Sequence, residues 1–163
     1  MIFELHSPSD REVLSTYLAG ARLHGKTIGL VSGSFDLLHF HHGLLLNRCG
    51  RMCDVLIVGV DSDELVRERK GNDRPVIYDM RRLMMVDWLK PVSFAFVMRS
   101  IEDFGDAAGI IKPNTIFKND AFEGRENEVL GREHAGQIVI VKDVVDHAST
   151  GAIVRACREV GVP

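Results

Sequence analysis

Short runs of consecutive apolar residues recur along the chain, and between them the apolar positions follow a helical period. Consecutive apolar positions are typical of strands buried on both faces, as in a parallel sheet. Five such runs predict strands at residues 26–32, 55–60, 93–98, 115–117 and 137–141. The helical period predicts seven helices, at residues 10–23, 40–51, 63–70, 79–89, 101–111, 126–135 and 150–160.

Regular alternation of strands and helices indicates an α/β domain with a parallel sheet. We expect a Rossmann-like three-layer α/β/α sandwich with a five-stranded sheet, formed as one domain by residues 1–163. Residues 1–25 would be a helical extension before the first strand, and residues 71–78 and 121–126 would be loops. In such a sheet, ligands bind at the carboxyl ends of the strands, near the point where the strand order reverses.

Composition narrows the class of partner. Hydrophobic residues make up 45% and charged residues 26% of the 163 residues, which is ordinary for a globular domain. The net charge of −3 argues against broad nucleic-acid binding, and no apolar run approaches the roughly 18 residues of a membrane span. The first residues do not resemble a signal peptide, and three cysteines favour reduced thiols over a disulfide framework or a zinc knuckle. We therefore expect a cytoplasmic protein that acts without nucleic acid or membrane.

The segment GSFDLLHFHHGLLL, residues 33–46, carries the most chemical information because it follows the first strand and opens a helix. A helix N-terminus presents unpaired N–H groups and a partial positive charge, and Gly33 lets the backbone approach a ligand closely. His39 and His42 are three residues apart, so both project from the same side of the first turn. Two imidazoles there would hold a polyphosphate and neutralise the charge that grows during phosphoryl transfer.

Two other interpretations of these histidines stay open on the residues alone. His39, His41 and His42 would, in the first, merely occupy an exposed turn. In the second they would bind a metal ion, although no carboxylate or cysteine obviously completes a ligand set. Their place at the ligand edge of a parallel sheet favours phosphate binding.

The same segment resembles the signature G-x-F-D-x-x-H-x-G-H of the nucleotidyltransferase superfamily that contains the cytidylyltransferases. VLIVGVDSDELVRERKGNDRPV, residues 55–76, is similar to the second strand, Ser-Asp helix start, Lys-Gly pair and Arg-Pro loop of that family. HASTGAIVRACR, residues 147–158, resembles its Ser-Thr-Thr helix. The resemblance is closest to the adenylyltransferase domain of the bifunctional enzymes that make ADP-heptose, with glycerol-3-phosphate cytidylyltransferase next.

The resemblance implies a role for each matching residue. The implied catalytic residues are His39, His42, Lys70 and Lys118. The implied nucleotide-binding residues are Gly33, Ser34, Phe35, Asp36, His39, His42, Lys118, Asp120, Ser149 and Thr150, and those facing the phosphate of the acceptor are Lys70, Arg74 and Arg82. No residue is implied as a metal ligand. Mg²⁺ would instead accompany the triphosphate.

Each assignment has a plainer alternative. Lys70, Arg74 and Arg82 would otherwise be solvated surface charges, and Ser149 would be a helix N-cap. Lys118, which is followed by Asn119 and Asp120, also fits ordinary turn chemistry.

The substrates implied by the resemblance are ATP, or CTP as the second choice, and a sugar phosphate or related phosphorylated polyol. The product would form with release of pyrophosphate. Met80, Met84, Met85 and Trp88 share a helical spacing that predicts core or interface packing, which makes a homodimer a possibility.

Three departures from the family pattern bear on activity. His41 stands where the family has glycine, and a side chain there would crowd or redirect the phosphates. Gly151 replaces the second threonine of the Ser-Thr-Thr element, and FKNDAF, residues 117–122, lacks the Gly-Gly of the family. A nucleotide-binding module with impaired turnover is therefore the alternative to an active enzyme, and a metal-binding α/β protein is a third hypothesis.

Overall fold

The structure, a computed structural model, describes residues 1–142 and 150–159 and forms five strands and six α-helices from them. The strands are β1 (Ile28–Gly33), β2 (Val55–Asp61), β3 (Phe94–Met98), β4 (Thr115–Asn119) and β5 (Gln137–Val141). The helices are α1 (Pro8–Leu23), α2 (Phe40–Arg51), α3 (Asp63–Lys70), α4 (Asp79–Asp87), α5 (Glu102–Ile111) and α6 (Thr150–Glu159). The sequence predicted all five strands and these six helices, with the boundaries off by at most two residues.

Local chemistry sets several helix boundaries. Ser7 caps α1, because its hydroxyl accepts a hydrogen bond from the N–H of Asp10, and Pro8 occupies the first helical position. Ser62 caps α3 in the same way by accepting from the N–H of Leu65 at 3.2 Å. Helix α3 ends at Gly71, whose φ of 92° lies outside the range that other residues readily adopt.

The sheet is parallel throughout and has the strand order β3-β2-β1-β4-β5. From β1 the chain moves through α2 to β2, and through α3 and α4 to β3. It then returns through α5 to β4 on the other side of β1. Since right-handed crossovers in opposite directions place their helices on opposite faces, this order produces three layers. The prediction of a Rossmann-like α/β/α sandwich is confirmed.

Each face of the sheet has its own apolar core. On one face, α1 and α5 bury Leu14, Leu18, Phe104 and Ile111 against the sheet. On the other face, α2 and α4 contribute a second cluster that is centred on Leu46, Cys49, Leu83 and Val86. The even-numbered side chains of β3 and β4 lie on the α5 face, together with the odd-numbered side chains of β2.

Residues before β1 belong to this core. Ile2 pairs with Ala95 in a parallel bridge, which extends the sheet beyond β3, and the N–H of Phe3 donates to the carbonyl of Ala95 at 3.0 Å. Phe3, Leu5, Leu14 and Leu18 are all buried in the cluster on the α5 face. The segment before the first strand is therefore packed as part of the domain.

The predicted helix at residues 126–135 is wrong. The structure has two short 3₁₀ turns there, Glu126–Glu128 and Arg132–His134. Gly131 separates them with a φ of 76°, and it packs so closely on α5 that an added Cβ would lie 2.5 Å from the Cβ of Ala108. Tertiary contact with α5 thus interrupts a segment whose apolar spacing is helical.

Two further predictions concern the surface. Among the described residues, no helix is both long and apolar enough to cross a membrane. On α4, Met80 and Met84 are exposed, as is Trp88 directly after the helix. The homodimer stays a prediction.

The strand order places a crevice between β1 and β4. These strands are paired only at Gly29 with Thr115 and at Leu30 with Ile116, whereas six residue pairs join β1 to β2. The ladder between β1 and β4 therefore stops before their carboxyl ends. The chain runs from β1 towards β2, but it runs in the opposite direction across the sheet when it enters β4 from β3. In open α/β sheets, ligands bind at such a reversal of direction.

Candidate active site

A cleft of about 1090 Å³ opens at the carboxyl edge of the sheet. Its lining comes from the ends of β1 to β4, the starts of α2 and α5, helix α3 and the connection between β4 and β5. Eight predicted site residues line it, namely Gly33, Ser34, Phe35, His39, His42, Lys70, Arg74 and Lys118. Since small-molecule pockets usually enclose about 300–1,000 Å³, the cleft has room for a nucleotide and a second substrate.

The turn between β1 and α2 shapes one side of the cleft. Phe35 adopts a left-handed conformation with φ 47°, and its buried ring lies beneath the end of the strand. A Cβ added at Gly33 would lie 3.2 Å from that ring, so a larger residue would press on Phe35. In the structure, the small size of Gly33 therefore makes room for the Phe35 ring.

The two motif histidines stack on each other at the start of α2. Their ring centroids are 3.9 Å apart, and the edge of the His42 ring faces Phe35 at 5.4 Å. Nδ1 of His39 and Nδ1 of His42 are buried without a hydrogen-bond partner in the part of the chain that the structure describes. His41 also lines the cleft, with its ring 5.7 Å from that of His39. All three imidazoles therefore gather at one helix end.

The pKa values of both motif imidazoles are lowered. Burial, followed by the neighbouring charges of His39 and Lys70, lowers the pKa of His42 to about 3. Burial and His41 also lower the pKa of His39. Lowered pKa values favour the neutral form of both imidazoles, in which one ring nitrogen is an N–H donor and the other is an acceptor. Their role in neutralising charge stays a prediction.

Asp36 organises the loop opposite this turn. The N–H groups of Val76 and Ile77 donate to its carboxylate at 3.0 Å, and Arg74 Nε donates at 2.7 Å. Burial favours the neutral acid, but these hydrogen bonds and the Arg74 charge outweigh it and lower the pKa of Asp36. Because Asp36 is buried behind the cleft, its side chain holds the loop, while its expected nucleotide contact through the backbone amide stays a prediction.

Lys70 lines the cleft beside the turn between β1 and α2. Lys70 ends α3, and its Nζ donates to Oγ of Ser34 at 2.5 Å. Burial and the nearby Arg74 lower the pKa of Lys70 from its usual value. The structure thus brings Ser34 next to Lys70 and close to Arg74, which lie 36 and 40 residues further along the chain.

Arg82 is not available to bind a phosphate, which corrects its predicted role. Its side chain is completely buried and donates to Asp63 Oδ1 at 2.8 Å. It also donates to the carbonyl of Ile77 at 2.7 Å and to that of Ser34 at 2.5 Å. Arg82 therefore positions the turn and the loop that carry the site.

Lys118 supplies a cation from the far side of the crevice. Its Nζ lies 3.7 Å from the centre of the Phe104 ring and 5.2 Å from that of Phe122. Burial lowers the pKa of Lys118 to about 8, against the opposing effect of Asp61. An amine that is held over aromatic faces and shielded from water is well suited to meet an anionic ligand.

Asp61 and Arg69 line the cleft, although the sequence did not single them out. Oδ2 of Asp61 lies 3.3 Å from Arg69 Nη1, while Oδ1 has no hydrogen-bond partner among the described residues. Burial raises the pKa of Asp61. The sequence does contain a signal for Asp61, because it places a carboxylate at the end of an apolar run. A buried charge there is costly unless it has a partner or a function.

The remaining predicted residues have different outcomes. Asp120 is exposed on a 3₁₀ turn after β4 and does not line the cleft, so its predicted nucleotide contact is not supported. Ser149 lies outside the described residues, and of Thr150 only the backbone at the start of α6 is described. Gly151 in the first turn of α6 does line the cleft. The start of α6 therefore faces the site.

The part of the chain that the structure describes contains no preformed metal site. The described residues contain no group of three or more His, Cys, Asp or Glu side chains that could hold a metal ion. The unpartnered Oδ1 of Asp61 is a single hard oxygen donor. Such a donor set fits Mg²⁺ only if substrate phosphates and water complete its coordination.

The fold and these groups define an α/β protein with a site for an anionic ligand: a cleft where the strand order reverses, a helix start with two histidines, and cations around them. The sequence profile of the cytidylyltransferase-like family matches residues 30–161. The chain belongs to this family.

Curated relatives extend the comparison. The chain is 35% identical over 144 residues to the bifunctional protein HldE of Desulfatibacillum aliphaticivorans, which covers 86% of this chain and 29% of that protein. It is 34% identical over 134 residues to the bifunctional protein HldE of a Nitratiruptor species, covering 82% and 28%. The chain thus spans less than a third of the length of these relatives.

Solved structures confirm the fold. A lipopolysaccharide core biosynthesis protein from Thermoplasma volcanium has a TM-score of 0.60 and 23% identity, covering 74% of this chain and 98% of that one. A pantoate-beta-alanine ligase from Francisella tularensis has a TM-score of 0.57 and 12% identity, covering 99% and 78%. At these identities the likeness concerns the fold alone.

Proposed function

We propose that the protein transfers a nucleoside monophosphate from ATP, or alternatively CTP, to a small phosphorylated acceptor. The observation that carries the proposal is the stacked pair of His39 and His42, whose buried Nδ1 atoms have no hydrogen-bond partner among the described residues. Buried polar atoms without partners are costly, so a site that keeps them is built for a ligand. At the start of α2, that ligand is an anion.

The reaction follows from these groups. A phosphate oxygen of the acceptor attacks the α-phosphorus in line, the bond from the α-phosphorus to the bridging oxygen breaks, and pyrophosphate leaves. His39 and His42 donate hydrogen bonds, while Lys70 and Lys118 neutralise the charge that moves to the leaving group. No covalent enzyme intermediate is needed, because the cleft is large enough to hold both substrates side by side.

Mg²⁺ would enter with the triphosphate as part of the substrate. The neutral imidazoles of His39 and His42 are N–H donors, so they leave the charge of the metal-bound phosphates to the lysines. The start of α6, where Ser149 and Thr150 lie in the sequence, would hold the β and γ phosphates, which is supported by the position of Gly151 at the cleft.

The similarity to the HldE proteins makes heptose 1-phosphate the first acceptor to test, and glycerol 3-phosphate the second. The test mixes the protein with Mg²⁺, ATP or CTP and each acceptor, and measures pyrophosphate release. We expect release that depends on one nucleotide and one acceptor. Replacement of His42 by alanine should reduce the rate of release by about 100- to 1,000-fold, whereas replacement of the exposed His24, directly after α1, should leave it unchanged.

A specific observation favours a second candidate, a nucleotide-binding module with impaired turnover. His41 lines the cleft at the place where the family signature has glycine. If nucleotide binds but no combination of substrates releases pyrophosphate, this second function is supported. A large gain in rate from His41→Gly would show that the histidine obstructs the phosphates.

A further inference from the structure

The cleft has two unlike sides. On the α2 side lie the imidazoles, Ser34 and Lys70, which suit phosphates. On the α5 side, strand periodicity aligns four side chains along the carboxyl edge of the sheet, one from each of β3, β2, β1 and β4: Met98, Asp61, Ser32 and Lys118. Asp61 and Met98 are register partners. We call the space above this row the α5-side compartment.

The walls of the α5-side compartment are apolar. They are formed by Leu65 from α3, Ile101 and Phe104 at the start of α5, and Phe122, Val129 and Leu130 from the connection between β4 and β5. Leu65, Met98, Phe104 and Val129 belong to one continuous core cluster, and Phe122 packs against it. Ile101 and Leu130 nevertheless remain 53% and 43% exposed, so apolar surface is left open at the mouth.

Apart from Lys118, the charged side chains that line this part of the cleft form ion pairs with each other. Arg125 Nη2 lies 2.5 Å from Glu128 Oε2, and Arg69 contacts Asp61. Asn119 follows Lys118 on the strand, so its side chain points to the opposite face of the sheet. With Lys118 kept for the phosphate, the Ser32 hydroxyl and Oδ1 of Asp61 are the polar side-chain atoms of the row, among the described residues, that could pair with an uncharged ligand group.

The small number of available polar groups limits which acceptor the compartment can bind. A polyol has several hydroxyl groups, and each one buried without a partner costs binding free energy. A nucleobase has polar edges and meets the same difficulty. An alkyl or aryl group instead gains from the apolar walls, while its phosphate reaches Lys118 and the α2 side.

We propose that the α5-side compartment binds an acceptor whose phosphate is attached to an alkyl or aryl group with at most one or two hydrogen-bonding groups. The inference rests on the proposed function in assigning this ligand as the acceptor. The class differs from the polyol phosphates that the resemblance suggested.

The test compares two probes that share a phosphate, hexyl phosphate and glycerol 3-phosphate, by titration calorimetry on the whole protein. We expect hexyl phosphate to bind at least about tenfold more tightly, because several methylenes become buried. Ile101→Ser should weaken hexyl phosphate several-fold and leave the affinity for ATP unchanged. Val13→Ser, at a comparably exposed β-branched position on α1, is the matched control and should change neither affinity.

Equal binding of the two probes, tighter binding of glycerol 3-phosphate, or binding of neither would overturn the inference. A loss of ATP affinity in Ile101→Ser would also overturn it, because the base would then occupy the compartment. Pyrophosphate release separates the two proposals. Efficient turnover of a polyol phosphate contradicts this inference and leaves the proposed function intact. Tighter binding of hexyl phosphate that depends on Ile101, without turnover of any substrate, supports this inference and contradicts the proposed function.

Discussion

At the scale of single residues, protonation determines what each group in the cleft can do. Burial lowers the pKa values of His39 and His42 at the start of α2, and also those of Lys70 and Lys118. Their types and spacing were visible in the sequence. Their protonation was not, because it depends on burial and on neighbours from other elements.

We expect His42→Ala to reduce kcat by about 100- to 1,000-fold, which is the usual effect of removing one preorganised donor from developing negative charge. Steady-state pyrophosphate release measures the effect, and circular dichroism verifies that the variant is folded. His24→Ala serves as the control on an exposed histidine. Comparable rates in the two variants would remove His42 from the mechanism.

The lowered pKa of Lys118 predicts that nucleotide binding weakens at alkaline pH. With a pKa of about 8, its amine is charged below that pH and loses its proton above it. Affinity for the triphosphate should therefore fall as the pH rises from about 7 to about 9.5, as followed by calorimetry. Lys118→Arg keeps its charge over this range and should flatten the profile. A profile that is the same in both proteins would exclude Lys118 as its origin.

At the scale of elements, the site depends on contacts between segments that are distant in sequence. Asp36 ties the turn before α2 to the loop before α4, and Arg82 ties that same turn to Asp63 at the start of α3. A sequence pattern shows that Arg82 belongs to a charged group near a loop. Only packing shows that it is buried and supports the site from behind.

Replacement of Arg82 by leucine should lower the free energy of unfolding by about 3–5 kcal/mol, because Asp63 is left without its buried partner. The neighbouring Arg81 is exposed, and Arg81→Leu should change the free energy of unfolding by no more than about 0.5 kcal/mol. Urea unfolding of the two variants tests the contrast. If both were equally stable, the buried ion pair would not support the fold.

At the scale of the whole molecule, two cores and a sheet extended by the N-terminal segment form the scaffold that holds the crevice. The chain before β1 is integral to one core, since it contributes Phe3, Leu5, Leu14 and Leu18. The sequence alone predicts residues 1–25 only as a helical extension before the first strand, without this contribution to the core.

A variant without residues 1–25 should therefore fail to fold. The four buried side chains together contribute about 6 to 12 kcal/mol, which is comparable to the whole stability of a domain. Near-ultraviolet circular dichroism and solubility of the truncated protein test this expectation. Leu18→Ala and Leu23→Ala provide a matched pair within the full chain, because Leu18 is buried and Leu23 is 88% exposed. A truncated protein with native spectra would show that the segment is dispensable.

The amino-acid sequence by itself determined the parallel sheet, the six helices and the histidine-bearing helix start, because apolar periodicity and local motifs act within a few turns of chain. Tertiary structure decided the rest. It broke the expected helix at Gly131 against α5, buried Arg82, moved Asp120 out of the site, and joined Asp61 to Met98 beside an apolar wall. Burial, protonation and the shape of a cleft arise from residues that meet only after the chain has folded, so no local pattern contains them.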